Sequence, residues 1–362
     1  MQSKPVALLA PLSGPNAERG MALENAAKLA LSDQGSPPLD VRDTAGTPNG
    51  AAAAARQAIA AGDAIIIGPL TAPETVAAAN VAQPAGVPVL AFTNDPSVAR
   101  PGVWTLGITP DQQVRRLVGA VMAMKQNRFA ALLPRNQFGN AMGSALTESL
   151  SAAGAPAPDI KTYDGSLPAI TPAVQSLAAD AGRSGALTVT APAPDQPAAA
   201  QAPIPANFDA LLLADVGDRL ATITSLLSSY QLLPPSVRLL GPILWSSPSA
   251  RTGAEMDGAW YAAPEAGPRS GFDAKYTTAY KSSAPGLADY AFDAASLARA
   301  LAQSGGYSIT SLTRPDGFAG VDGVFALLPD GRVRRALAIF EIRDGQAQMI
   351  QPAPTTLNAP GI

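Results

Sequence analysis

Asp215 and Asp218, with Gly217 between them, are the nearest approach in this chain to a catalytic carboxylate pair. Acid–base work on such a pair needs one carboxyl kept protonated by its surroundings and a neighbour that orients the proton. The 362 residues contain no histidine and no cysteine. That composition removes the commonest general base, the commonest metal ligand, the thiolate nucleophile and the Cys-based zinc site together. Solvated loop carboxylates therefore account for Asp215 and Asp218, and no enzyme chemistry, metal or cofactor is expected. Asp43-Thr44-Ala45-Gly46 invites a phosphate or metal reading, but no Gly-Lys-Ser/Thr follows it, so a Walker-type loop is excluded. An Asp side chain bonded to its own turn suffices there. Gly139, Gly143 and Gly154 lack the spacing of a dinucleotide fingerprint.

The elements that would position such residues alternate from the start. Apolar runs at 5–11, 39–42, 64–67 and 87–92 read as buried strands, and the intervening stretches 16–32, 51–61 and 74–85 carry helical spacing. A second series begins near Asp111, with helices at 112–125, 141–152 and 172–181 and strands at 129–134 and 160–163. A Pro/Ala-rich insertion, 191–205, has no periodicity and reads as an exposed loop. Strands at 208–214 and 237–240 flank a helix at about 219–230. A strand at 259–262 and helices at 271–281 and 288–303 follow. The tail, 323–328 and 332–343, reads as antiparallel ribbon joined by tight turns. Such βαβα alternation implies parallel sheets covered by helices on both faces.

Composition narrows the partners. A hydrophobic fraction of 47% with 15% charged residues fits a globular chain. The net charge of −3 offers no electrostatic footprint for nucleic acid. No apolar run approaches the roughly 20 residues of a membrane helix, so no membrane insertion is expected. Met1-Gln2-Ser3-Lys4 has neither the n-region nor the h-region of a leader. The chain is then either cytoplasmic or begins after a removed leader, and a lipid-anchoring cysteine, if one exists, lies upstream.

The layout resembles the type I periplasmic binding proteins of the branched-chain amino acid receptor group. Ala7-Leu8-Leu9-Ala10-Pro11-Leu12-Ser13-Gly14 is similar to that group's first strand and cleft loop. Ile65-Ile66-Ile67-Gly68-Pro69-Leu70 is similar to its third strand, Gly86-Val87-Pro88-Val89-Leu90 to its fourth, and Asn136-Gln137-Phe138-Gly139 to the first cleft loop of its second lobe. A closer likeness is to the C-terminal domain of penicillin-binding protein activators. It is carried by Gly68-Pro69-Leu70, Ala131-Leu132-Leu133-Pro134-Arg135, Gly320-Val321-Asp322-Gly323, Asp330-Gly331-Arg332 and the insertion before Phe208. The resemblance implies an α/β protein of two doubly wound parallel-sheet lobes joined by a three-crossover hinge. Lobe 1 would be 4–108 with 246–331, and lobe 2 would be 109–245 with 332–352. It also implies the periplasm, and either a peptidoglycan synthase or an ABC permease as partner, with a small-molecule ligand in or around the interlobe cleft.

In open α/β sheets, ligands sit beyond the carboxyl ends of the strands. That places Ser13, Gly14, Leu70, Thr71, Thr93, Asn94 and Asp95 on the rim of the first lobe. Gln137, Phe138, Asp215 and Asp218 occupy the rim of the second, with Trp245 near a crossover, where it stacks on a ligand or packs in the core. Helix capping is the competing account of Ser13, Thr71 and Asp218. The loop Thr71-Ala72-Pro73-Glu74 stands where the amino acid receptors present hydroxyls. Ala72 and Pro73 have no side-chain hydrogen bond to give, so the amino acid clamp looks degraded.

Overall fold

A computed structural model of the protein describes residues 4–183, 205–304 and 306–357. All but the last residue of the insertion expected at 191–205 lies outside the described residues. The described residues fall into two compact units: 4–109, 264–336 and 354–357 in the first, 110–263 and 337–353 in the second.

Short apolar runs build the sheet of the first unit. β1 (Val6–Ala10), β3 (Ile65–Ile67), β4 (Val89–Ala91) and β5 (Val103–Thr105) are buried at every position, and β2 (Leu39–Asp43) forms a half-buried edge. The order is β2-β1-β3-β4-β5, with every pair parallel. Because both faces are covered, these strands need no polar alternation, which explains Ile65-Ile66-Ile67. Leu9 and Ile66 pack on one face against α2 (Pro48–Ala61) and α3 (Ala72–Ala82), through Ala51, Ala55 and Ala78 among others. Leu8, Ile65 and Ile67 pack on the other face against α1 (Ala17–Ala30). In α2 the stripe Ala51, Ala54, Ala55 and Ala58 is a helical face of small residues, which lets the helix lie close on the sheet. Thr47 caps this helix by accepting from Gly50 N–H, and Pro48 begins it.

The second unit repeats the pattern. It opens with α4 (Pro110–Ala123), β6 (Phe129–Pro134), α5 (Gln137–Ala152) and β7 (Asp159–Tyr163). There follow α6 (Leu167–Asp180), β8 (Ala210–Leu213), α7 (Gly217–Ser229), β9 (Arg238–Gly241) and β10 (Trp260–Ala263). Its parallel strands run β7-β6-β8-β9-β10, the same 2-1-3-4-5 winding as the first unit. The expected helix at 172–181 starts earlier, at Leu167. Pro168 in the first turn is pre-organised for a helix, and Pro172 sits on an exposed face where the freed carbonyl meets water.

The chain then returns to the first unit with α8 (Ala266–Tyr280), α9 (Ala288–Gln303) and a three-stranded antiparallel sheet of β11 (Phe318–Gly320), β12 (Gly323–Leu327) and β13 (Val333–Arg335). The hairpin β14 (Ala338–Arg343) and β15 (Gln346–Gln351) completes a seven-stranded sheet in the second unit, pairing antiparallel on β10. Two boundaries differ from those expected from sequence. Residues 246–263 stay with the second unit because β10 pairs with β9, and 332–336 stay with the first because β13 pairs with β12.

Candidate functional site

The winding order puts a topological switch point between β1 and β3 in the first unit and between β6 and β8 in the second. Loops leaving the carboxyl ends of those strands diverge there, and ligands of doubly wound folds bind at such points. Most of the residues picked from sequence lie on these loops, and most of their polar atoms are engaged within the fold.

After β1, the N–H groups of Leu12 and Ser13 donate to Asp43 Oδ1 at 2.8 and 3.2 Å, and Ala45 N–H donates to the same oxygen at 2.7 Å. The Ser13 hydroxyl joins them. Burial alone would raise the Asp43 carboxyl; these hydrogen bonds outweigh it and hold the group below the usual carboxylate range. The Asp43 turn is thus a knot that fixes the β1 loop. Gly14 has φ +78, and a Cβ there would press on the Ala45 carbonyl at 3.3 Å, so the turn requires glycine.

After β3, Thr71 forms a complete capping box with Glu74. Its hydroxyl donates to Glu74 Oε2 at 2.6 Å and accepts from Glu74 N–H at 3.5 Å, while Thr71 N–H donates to Oε2 at 3.2 Å. Glu74 is 0% exposed, and its other oxygen accepts from the Thr44 hydroxyl at 2.5 Å. This carboxylate therefore bridges the loops after β2 and β3. Leu70 is half-buried beside it. After β4, the Thr93 hydroxyl accepts from Asp95 N–H at 3.1 Å, Asp95 accepts from Ser97 N–H at 2.9 Å, and Asn94 is exposed.

In the second unit Asn136 caps α5 by accepting from Gly139 N–H at 2.8 Å, which leaves Gln137 exposed and Phe138 half-buried. Asp215 departs from the expectation of a solvated carboxylate. It is 1% exposed and accepts from Arg219 Nε at 2.9 Å. Burial, then the neighbouring Asp215 carboxylate, push the ionisation of the Tyr163 hydroxyl up. Trp245 is 0% exposed, donates its indole N–H to the Asp215 carbonyl at 3.0 Å, and offers no free ring face to a ligand in this conformation. Asp218, in the first turn of α7, is exposed. The sequence places Asp215 on the rim of the second lobe and Trp245 near a crossover, and gives no sign that the two touch.

A hollow of about 470 Å³ lies elsewhere in this unit, along α5 over β6 and β7, lined by Leu133, Gly143, Ser144, Thr147, Ile160 and Thr162. Gly139 of the expected cleft loop borders it, but none of the candidate ligand-binding side chains does. Among the described residues, no group of acidic side chains is arranged to hold a metal ion, and no helix is long and apolar enough to cross a membrane.

Residues 4–347 match the model of a family described as periplasmic binding protein. The chain belongs to that family. Its solved relatives agree on the fold and differ in role. A protein described as a branched-chain amino acid ABC transporter from Rhodospirillum rubrum superposes with a TM-score of 0.72 at 17% identity, covering 96% of this chain and 100% of that one. The C-domain of LpoA from Haemophilus influenzae, a regulator of PBP1A, superposes with a TM-score of 0.70 at 17% identity and the same coverages. A solute binding protein of an ABC transporter from Rhodopseudomonas palustris, in complex with 3,4-dihydroxybenzoic acid, gives 0.58 at 18% identity, with 99% and 98% covered. No curated protein sequence matches the chain. At these identities the solved structures establish the periplasmic binding fold, and the relatives are binding proteins and receptors rather than enzymes.

Proposed function

We propose that the chain is a non-enzymatic protein of the periplasm that regulates cell-wall synthesis through contact with a peptidoglycan synthase, as penicillin-binding protein activators do. The observation that carries this reading is the Thr71–Glu74–Thr44 bridge. A receptor for a free amino acid has to pair both an ammonium and a carboxylate, because either one buried unpaired costs several kcal/mol. Here the Thr71 hydroxyl both donates and accepts within its own capping box, Ala72 and Pro73 bring no polar side chain, and Ser13 is spent on Asp43. The fold is retained while the hydroxyls that would clamp a zwitterion serve to brace the loops. The likeness to the LpoA C-domain supports the same direction.

A second reading, a solute receptor for an ABC transporter, draws on the equal likeness to the Rhodospirillum rubrum protein and on the exposed polar side chains Asn94, Gln137 and Asp218 at strand ends. Interferometry with a purified bifunctional peptidoglycan synthase from the same cell separates the two. The regulator reading expects saturable binding that excess leucine leaves unchanged. No binding to any synthase, together with thermal stabilisation by a small solute, overturns it in favour of the receptor.

A further inference from the structure

The chain passes from the first unit to the second after Thr109, returns at Pro264, leaves again after Ala336 and returns once more at Pro354. On the first unit's side, one buried network of charged groups holds the roots of the first three of these passages. Arg335, the last residue of β13, donates from Nη2 to the carbonyl of Leu106 at 3.0 Å, three residues before the first passage. Tyr290 of α9 accepts from Ile108 N–H at 3.4 Å. Arg269 stands in the first turns of α8, just after the second passage, and donates from Nε to Asp289 of α9 at 2.7 Å. Asp293, one helical turn further along α9, accepts from Val321 N–H at 2.7 Å and lies 3.7 Å from Arg335. Asp322, in the turn between β11 and β12, faces Asp289.

The network is short of positive charge. Three carboxylates that are 2–4% exposed face the guanidiniums of Arg335 and Arg269, and Arg269 is shared with the more exposed Asp273. Lys275 of α8 lies on the surface hollow that Asp293 also lines. Asp289 Oδ1, Asp293 Oδ2 and Arg335 Nε and Nη1 have no hydrogen-bond partner in the protein. An uncompensated buried charge is costly, and the cheapest remedy is a proton retained between carboxylates.

We propose that Asp289, Asp293, Asp322, Arg335 and Arg269 form a proton-sensitive catch that anchors the three passages in the first unit, tightening when it takes up a proton. A proton shared by Asp289 and Asp322 supplies the donor that two carboxylates lack and ties the β11–β12 turn to α9. Loss of that proton sets two like charges side by side and loosens the turn, and with it the hold of Arg335 on Leu106. Burial, only partly offset by Arg269 and by Arg335 respectively, raises Asp289 and Asp293 to about 7, and Asp322 is raised as well. These folded values exceed the unfolded value of about 3.9. The closed network therefore binds more protons than the opened one between about pH 4 and pH 7, and its stability falls as pH rises through that window.

Hydrogen exchange of the Ile108 and Val321 amides, corrected for intrinsic exchange, tests the catch between about pH 6 and about pH 8. One group titrating near 7 makes local opening about tenfold more frequent at the higher pH. We expect at least that change in the native chain, and a clearly smaller one in Asp322→Asn, where Asp293 still titrates. A flat native profile overturns the proposal, and so does a dependence undiminished in both Asp322→Asn and Asp289→Asn. Should those variants not fold, carboxyl carbon resonances of Asp63→Asn protein decide, because that background removes a separate carboxyl raised into the same range. A resonance titrating near pH 7 is expected. None titrating above about pH 5.5 overturns the catch.

Discussion

The indole N–H of Trp245 donates to the backbone carbonyl of Asp215 across 3.0 Å, tying the 3-10 turn after β9 to the loop after β8. The ring reaches that carbonyl only because position 241 is glycine. A Cβ on Gly241 would lie 2.3 Å from the Trp245 ring. Sequence spacing made Trp245 a candidate for stacking on a ligand, whereas its ring fills the core of the second unit beside Leu213 and Leu239. Gly241→Ala is expected to destabilise the unit by about 1–3 kcal/mol through overpacking, and Trp245→Ala by about 3–5 kcal/mol through cavity formation. Denaturant titration followed by tryptophan fluorescence measures both. An unchanged midpoint in Gly241→Ala would mean that the ring packs elsewhere.

Glu74→Gln replaces an acceptor that serves Thr44, Thr71 and a backbone N–H. One buried donor is then left facing another, at a cost of about 1–3 kcal/mol. Thr71→Ala should lose about 1 kcal/mol as a missing cap. The pair measured together should couple, since both variants cut the same bridge. Strict additivity in the double variant would show that the bridge does not form in solution.

Asp63 is buried beside Asp40, and its two oxygens have no donor. Burial, reinforced by Asp40, raises it to about 7, above the unfolded value of about 3.9. The folded state thus holds the extra proton between about pH 4 and 7, so the stability it contributes is lost as pH rises through about 7. Asp63→Asn should raise the melting temperature at pH 8 and change it little near pH 5. A variant less stable than the native chain at pH 8 would contradict the assignment.

Much of the fold was legible because its strands are short apolar runs closed by proline or glycine, as at Pro5, Pro11 and Gly68. The passages between units were not. Nothing local marks Ala336, where one ribbon segment serves two sheets, and β10 is assigned only by its pairing with β9 and β14. Within the site, the loops were found but their internal commitments were missed, since Glu74 and Thr44 meet across 30 residues of sequence. By sequence alone, Arg332, Arg334 and Arg335 read as a small basic cluster on a solvated ribbon edge, yet the Arg335 side chain is 0% exposed. Strand alternation offered a signal, because Arg334 and Arg335 must face opposite ways. Asp289 and Asp293 offered another, being carboxylates on the stripe of α9 that otherwise carries Leu297 and Leu301.

Free leucine, isoleucine and valine are expected to bind weakly or not at all. An unpaired charge costing several kcal/mol moves affinity by three or more decades, at about 1.4 kcal/mol per tenfold. Calorimetry with each amino acid checks this. Micromolar binding of any of the three would mean that a zwitterion finds partners despite the spent hydroxyls of Ser13 and Thr71.

The rate of glycan-strand synthesis by a purified bifunctional peptidoglycan synthase, with and without saturating protein, tests the central claim most directly. A regulator raises or lowers that rate, and the change persists in the presence of leucine. An unaltered rate at concentrations where the protein binds a small solute would contradict the account and make the chain a transport receptor.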